Sequence, residues 1–249
     1  MKTRLLQIIL PLALLTAARG GTHVWSGAGA NTSWSNPSNW SSGGVPVAGE
    51  AAPVKLVFPA NATSRTSSLN ISNLKVDAIE VDLTGGHYTF PTAGIPVTLT
   101  GAAGDNFKVT GVLGNVTWQP AITLQATCRV NLGGSANLDI QGVVAGSGGL
   151  TKQGSGFLLF TTSGVANTFT GAMRLEGGNL TFRKLPGAAC FGGKLELAGG
   201  NCNIERSHQI PDNAAIEIAN ATLSTSPATG TGALNETLGN VMLKGTSAL

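Results

Sequence analysis

Three phrases of this chain superpose: LEGGNLTF (175–182), LAGGNCNI (197–204) and IANATLST (218–225). Leu175, Leu197 and Ile218 fall in one column and Leu180, Cys202 and Leu223 in a second, at intervals of 22 and 21 residues. Each unit alternates apolar residues, turns at a GG or NA corner and alternates again, which predicts two short strands per unit. A unit this small has no room to bury its own apolar face, so neighbouring units must stack to cover it. The period therefore predicts an all-β solenoid, a parallel β-helix. Gly177, Gly178, Gly199 and Gly200 are expected at its corners, where positive φ and close approach of the next rung favour a residue without Cβ.

Composition agrees with strands and turns. The 249 residues include 35 Gly, only 11% are charged, and helix formers are scarce. The glycine-rich stretch GSGGLTKQG (146–154) lacks the Gly-Lys-Ser/Thr ending of a phosphate loop and precedes strand-like residues rather than a helix, which excludes a nucleotide cradle.

The N-terminus, MKTRLLQIILPLALLTAARG, places Lys2 and Arg4 before an apolar run from Leu5 to Ala18 that is too short for a membrane span and is interrupted by Gln7 and Pro11. It reads as a secretory signal over residues 1–20, with cleavage after Ala18 or Gly20, and predicts an exported chain with no membrane span in its mature part. Loss of Lys2, Arg4 and Arg19 brings the 15 basic residues down to parity with the 12 acidic ones. A neutral chain without a basic run offers no footprint for nucleic acid or an anionic membrane.

A further phrase carries a family resemblance. VAGSGGLTKQGSGFLLFTTSGVANTFTGAMRLEGGNL resembles the autotransporter-associated β-strand repeat of exported bacterial proteins, a GxGGLTKxGxGxLxLxG-like phrase leading into NTYTGxTxxxxGxL. Gly146, Gly148, Gly149, Leu150, Thr151, Lys152, Gly154, Gly156 and Leu158 fit the first half; residues 167–171, Gly177 and Leu180 fit the second. WSGAGANTSWSNPSNWSSGGVPVAGE (25–50) resembles the Trp-rich opening of such proteins, and NETLGNVMLKG (235–245) a later rung. Phe157 departs from the pattern, standing where a small or polar residue is usual, and Glu50-Ala51-Ala52 stands where acidic pairs are usual. The resemblance implies a right-handed β-helix, a passenger-type or surface location (extracellular, cell surface or periplasmic), and a scaffold with no particular activity. It divides the chain into a leader (1–20), a Trp/Gly-rich capping segment (21–58) and β-helix repeats (59–249).

Candidate sites are few. In VDAIEVDL, Glu80 and Asp82 alternate with Ile79, Val81 and Leu83, the pattern of a solvated strand face rather than a paired-carboxylate catalyst. His23, His87 and His208 are scattered with no acid or His at ligand spacing, and Cys128, Cys190 and Cys202 share no metal-ligand spacing, so neither a metal nor a cofactor is expected. The cysteines read as small buried residues, with a Cys190–Cys202 bridge as an option in an oxidising compartment. Trp25, Trp34 and Trp40 are expected to plug the open end of the solenoid, burial of each ring contributing about 1.5–3 kcal/mol or more; contact with carbohydrate is the other role such rings serve in a Gly/Ser/Asn-rich segment. The Asn-x-Ser/Thr triplets read as corner residues.

The function these features predict is a structural or adhesive repeat scaffold without catalysis; the alternative is a β-helix that binds or cleaves polysaccharide. Aligning residues 243–249 with the repeat places Leu249 inside the second strand of a unit. That leaves an open rung and predicts as partner either further repeats of the same chain or a second copy joined end to end.

Overall fold

Residues 20–91, 94–102, 104–229 and 232–247 are described in a computed structural model. The leader expected over residues 1–20 lies outside the described residues except for Gly20, as do Ala248 and Leu249.

Corners every few residues keep the strands short, none longer than five residues among the described residues. They stack in three sheets of 11, seven and four strands. In the first sheet, ten strands from Thr22–Trp25 to Val241–Lys244 pair in parallel, and Trp40–Ser42 closes one edge antiparallel to Thr22–Trp25. The second runs from Tyr88–Phe90 to Ala221–Thr225, the third from Leu74–Val76 to Val144–Gly146. The chain winds as a β-solenoid of about eight turns. Among the described residues there is no α-helix, only 3-10 turns at Pro37–Asn39 and Leu83–Gly85.

Both predicted columns form. Leu175 pairs with Leu197 and Leu197 with Ile218 in the first sheet; Leu180 pairs with Cys202 and Cys202 with Leu223 in the second. All six side chains are buried, each inward leucine contributing about 1.5–3 kcal/mol by leaving water. Next to the second column runs another, Phe90, Trp118, Ile140, Phe160, Phe182 and Ile204, paired rung by rung. Its aromatic rings meet at 4.7 Å (Phe90–Trp118) and 6.2 Å (Phe160–Phe182).

The winding begins earlier than the segment boundary at residue 58 implies. Residues 22–24 already pair in parallel with residues 55–57, so the Trp-rich segment supplies the first strands of the solenoid. The corner glycines also divide their labour. Gly178 (φ 71°) and Gly200 (φ 78°) take the left-handed conformation, whereas Gly177 and Gly199 do not. A Cβ on Gly200 would stand 2.4 Å from the carbonyl oxygen of Gly178 on the previous coil. In the next coil Asn220 (φ 55°) makes the left-handed turn.

Buried amides staple coil to coil. Asn167 accepts from the Val144 N–H (3.0 Å) and donates to the Cys190 carbonyl (2.8 Å), joining the coils on either side. Asn106 does the same, donating to Asp77 O (2.9 Å) and accepting from Arg129 N (2.9 Å). Such corners leave backbone groups without sheet partners, and an inward amide satisfies one donor and one acceptor at once.

Cys128, Cys190 and Cys202 are free buried thiols, so the optional Cys190–Cys202 bridge is not formed. Cys190 donates to Gln209 Oε1 (3.3 Å), and burial pushes its pKa up to about 12.

Candidate functional site

Trp25, Trp34 and Trp40 come together at the first coil, all buried. Trp25 and Trp40 meet edge to face at 5.3 Å, and Trp34 lies 5.7 Å from Phe58. Each indole N–H is engaged: Trp25 with Ser64 O (2.8 Å), Trp34 with Ser67 Oγ (2.6 Å) and Trp40 with Trp34 O (2.7 Å). Rings packed and bonded this way fill the core at the first coil, and their burial leaves little ring surface exposed for stacking on a sugar.

His23 is buried beside them, with Nδ1 2.9 Å from Gly44 O and Nε2 3.1 Å from Glu50, and fastens the segment 44–50 over the first coil. His87 accepts from the Asn115 N–H (2.9 Å), and His208 occupies a left-handed corner (φ 56°). Among the described residues no group of three His, Cys, Asp or Glu side chains is placed to hold a metal.

Glu80 and Asp82 point outward while Ile79, Val81 and Leu83 point inward. Glu80 pairs with Lys55 (2.8 Å) and stands opposite Lys108 in the register. Farther along the same outer face, Arg174, Lys194 and Lys244 alternate with Glu196 and Glu217 at 2.5–3.0 Å. Bonds from Lys244 and Lys194 hold the Glu217 carboxyl down at about 2. These solvent-exposed pairs keep the face hydrated and, screened by water, contribute little to stability.

The outer face of the second sheet differs. Alternation turns Asn115, Asn137, Asp139, Leu159 and Arg183 outward, and the winding lines them along a cleft of about 400 Å³ bounded by Leu185 and Arg206. A second hollow, also about 400 Å³ and lined by Gln119 and Ser163, shares Gln141 and Thr162 with the first. Thr162, where the two join, is held at φ 57°, a left-handed conformation that a β-branched residue rarely adopts.

The polar groups here are ordered. Asp139 accepts from Thr161 Oγ1 (2.5 Å) and Gln141 Nε2 (2.8 Å), while Gln119 Nε2 donates to Gln141 Oε1 (3.2 Å). Arg183 is bound to Glu205, which also accepts from Asn203 (3.1 Å). Arg206 is different: its Nε is buried without a hydrogen-bond partner, and no ion pair forms to it among the described residues. A buried N–H of a permanent cation left unpaired costs about 1–3 kcal/mol or more. Beside the cleft, Phe157 is 39% exposed, directly across from Asn137 and Asn179 on adjacent rungs.

Sequence reasoning missed this cleft. Asn115 and Asn137 stand one period apart on outward positions and were detectable from the same alternation that yields the core. Arg206 lies past a strand end, where alternation assigns no direction.

Stacked coils closed at one end by buried indoles, with a polar cleft on one outer face, define a β-solenoid. No family model, curated protein or solved structure matches the chain.

Proposed function

We propose that the chain is an exported structural or adhesive repeat scaffold of the autotransporter-associated β-strand repeat type, without a catalytic step of its own. The observation that carries this reading is what the residues of the resembling phrase do. Gly146 (φ 113°) and Gly154 (φ 75°) are corners where a Cβ would stand 2.2 and 2.3 Å from carbonyl oxygens of the previous coil. Lys152 ties three corner carbonyls and Asn167 staples neighbouring coils. Every one of these residues serves coil stacking, so the motif encodes a repeatable building unit.

Engagement of the outward carboxylates by Arg, Lys, Thr or amide partners supports a structural role for these faces. Partners on this reading are further repeats or a second copy of the chain. Met242 and Leu243, on the last strand of the first sheet, are 56% and 53% exposed, which suits an adjoining coil.

Expression of residues 1–249 in a Gram-negative host tests export. N-terminal sequencing of the mature product should begin at Arg19 or Gly21, with the protein outside the cytoplasm. Retention in the cytoplasm with Met1 intact would overturn the reading.

A further inference from the structure

We propose that the cleft on the outer face of the second sheet binds an acidic polysaccharide, one whose sugar units carry carboxylates. This goes beyond a scaffold role and depends only on the folded coils, not on export or anchoring.

Three observations converge on that chemistry. The first is Arg206, whose buried Nε has no hydrogen-bond partner among the described residues. A guanidinium is a planar fork of donors suited to a carboxylate, and Arg206 lines the cleft with no ion pair among the described residues, so its fork is open to a ligand carboxylate. Arg183, on the same wall, is already held by Glu205, which orients it and leaves Arg206 as the unneutralised charge.

The second is the floor. Asn115 and Asn137 pair across adjacent rungs, and Gln119 bonds Gln141 one coil away. Each amide offers donor and acceptor together, the requirement for binding hydroxyls. Rungs repeat every ~4.8 Å along the axis, close to the length of one sugar unit in an extended chain. A polymer lying along the solenoid therefore meets Asn115 and Asn137 on two successive rungs, then the ring of Phe157, then Asn179.

The third is apolar. Leu159 and Leu185 line the same cleft, and Phe157 stands exposed in the outer column between Asn137 and Asn179. An exposed aromatic ring flanked by amides provides a stacking surface for the C–H face of a sugar. Phe157 is also where the chain departs from the repeat pattern, so the scaffold motif does not account for it. An acidic peptide would find the charge at Arg206 but brings no sugar C–H face to the open ring of Phe157.

Isothermal titration of the full chain with galacturonate and mannuronate oligomers tests the proposal, with their methyl esters and polyglutamate as controls. At least one uronate oligomer should bind, and its ester and polyglutamate should bind at least tenfold more weakly. Arg206→Gln should weaken binding about tenfold or more, the loss of one charge-assisted contact, and Phe157→Ser severalfold. Arg174→Gln, on the outer face of the first sheet, should leave it unchanged. Circular dichroism checks the fold of each variant. Phe157 is exposed, so Phe157→Ser remains informative if Arg206→Gln fails to fold. The proposal is overturned by no binding to either oligomer, by equal binding of ester or polyglutamate, or by unaltered affinity in both cleft variants.

Discussion

Lys152→Met is the substitution that most directly tests how the coils are held. Lys152 occupies an inward position in the first sheet, paired with Val130 below and Leu175 above, and is fully buried. Its Nζ donates to the carbonyls of Gly154 (2.7 Å), Gly177 (2.9 Å) and Gln153 (3.0 Å), which clamps the corner of one coil to the corner of the next. Methionine keeps most of the stem volume and removes the donors. Each bond from a charged donor is worth about 1.5–3 kcal/mol. Against that sum stands the several kcal/mol needed to bring an ammonium out of water, which the variant recovers while orphaning up to three corner carbonyls at about 1–3 kcal/mol each. The net expectation is a loss of about 2–4 kcal/mol at pH 7, read as a fall of about 1 M or more in the urea midpoint by circular dichroism.

The pH dependence sharpens the test. Burial lowers the Lys152 pKa to about 8, whereas an unfolded lysine titrates near 10.4. Between those values the unfolded chain holds a proton that the folded chain has released. Stability therefore rises with pH by about 1.4 kcal/mol per unit across that window, or about 3 kcal/mol in all. Below pH 8 both states are protonated and the burial penalty is present in full. The gap between parent and Lys152→Met should consequently widen from pH 8 to pH 10. A variant as stable as the parent at pH 7 would refute the clamp, and a gap that stays constant with pH would refute the lowered pKa of the buried ammonium.

Four further expectations concern other parts of the solenoid. Leu197→Asp should cost several kcal/mol, because it buries a lone carboxylate between Leu175 and Ile218; an unchanged thermal midpoint would contradict the register. Asn167→Leu should cost about 2–4 kcal/mol in urea titration by orphaning the Val144 N–H and the Cys190 carbonyl, and a neutral result would show that the amide is dispensable. With the thiols of Cys128 and Cys190 pushed up to about 11 and 12, the native chain should not react with Ellman's reagent at pH 8, and all three cysteines should react in denaturant; a thiol titrating in the native state would show that the core opens. Light scattering should show mass rising with concentration, and Met242→Lys with Leu243→Lys should suppress the rise if the exposed edge pairs with a second copy; a parent that stays monomeric throughout would refute that pairing.

What the sequence by itself determined is the repeat and its inward side. Intervals of 22 and 21 residues, with apolar residues on alternate positions, suffice to place Leu175, Leu197, Ile218, Leu180, Cys202 and Leu223 in two ladders, because stacked strands put every second residue on the same face. The same alternation turns Glu80 and Asp82 outward, and a need to plug the open core sends the indoles inside. What only the tertiary structure decided lies where alternation stops carrying information. Lys152 sits on an inward position that hydropathy assigns to solvent, and it is tolerated there because three corner carbonyls, one from the neighbouring coil, converge on its Nζ. Arg206 reaches the cleft from a corner beyond a strand end, and Thr162 makes a left-handed turn where the two hollows join. Corners set direction through backbone geometry and through the coil stacked beside them, and neither is written in the order of apolar and polar residues along a single rung.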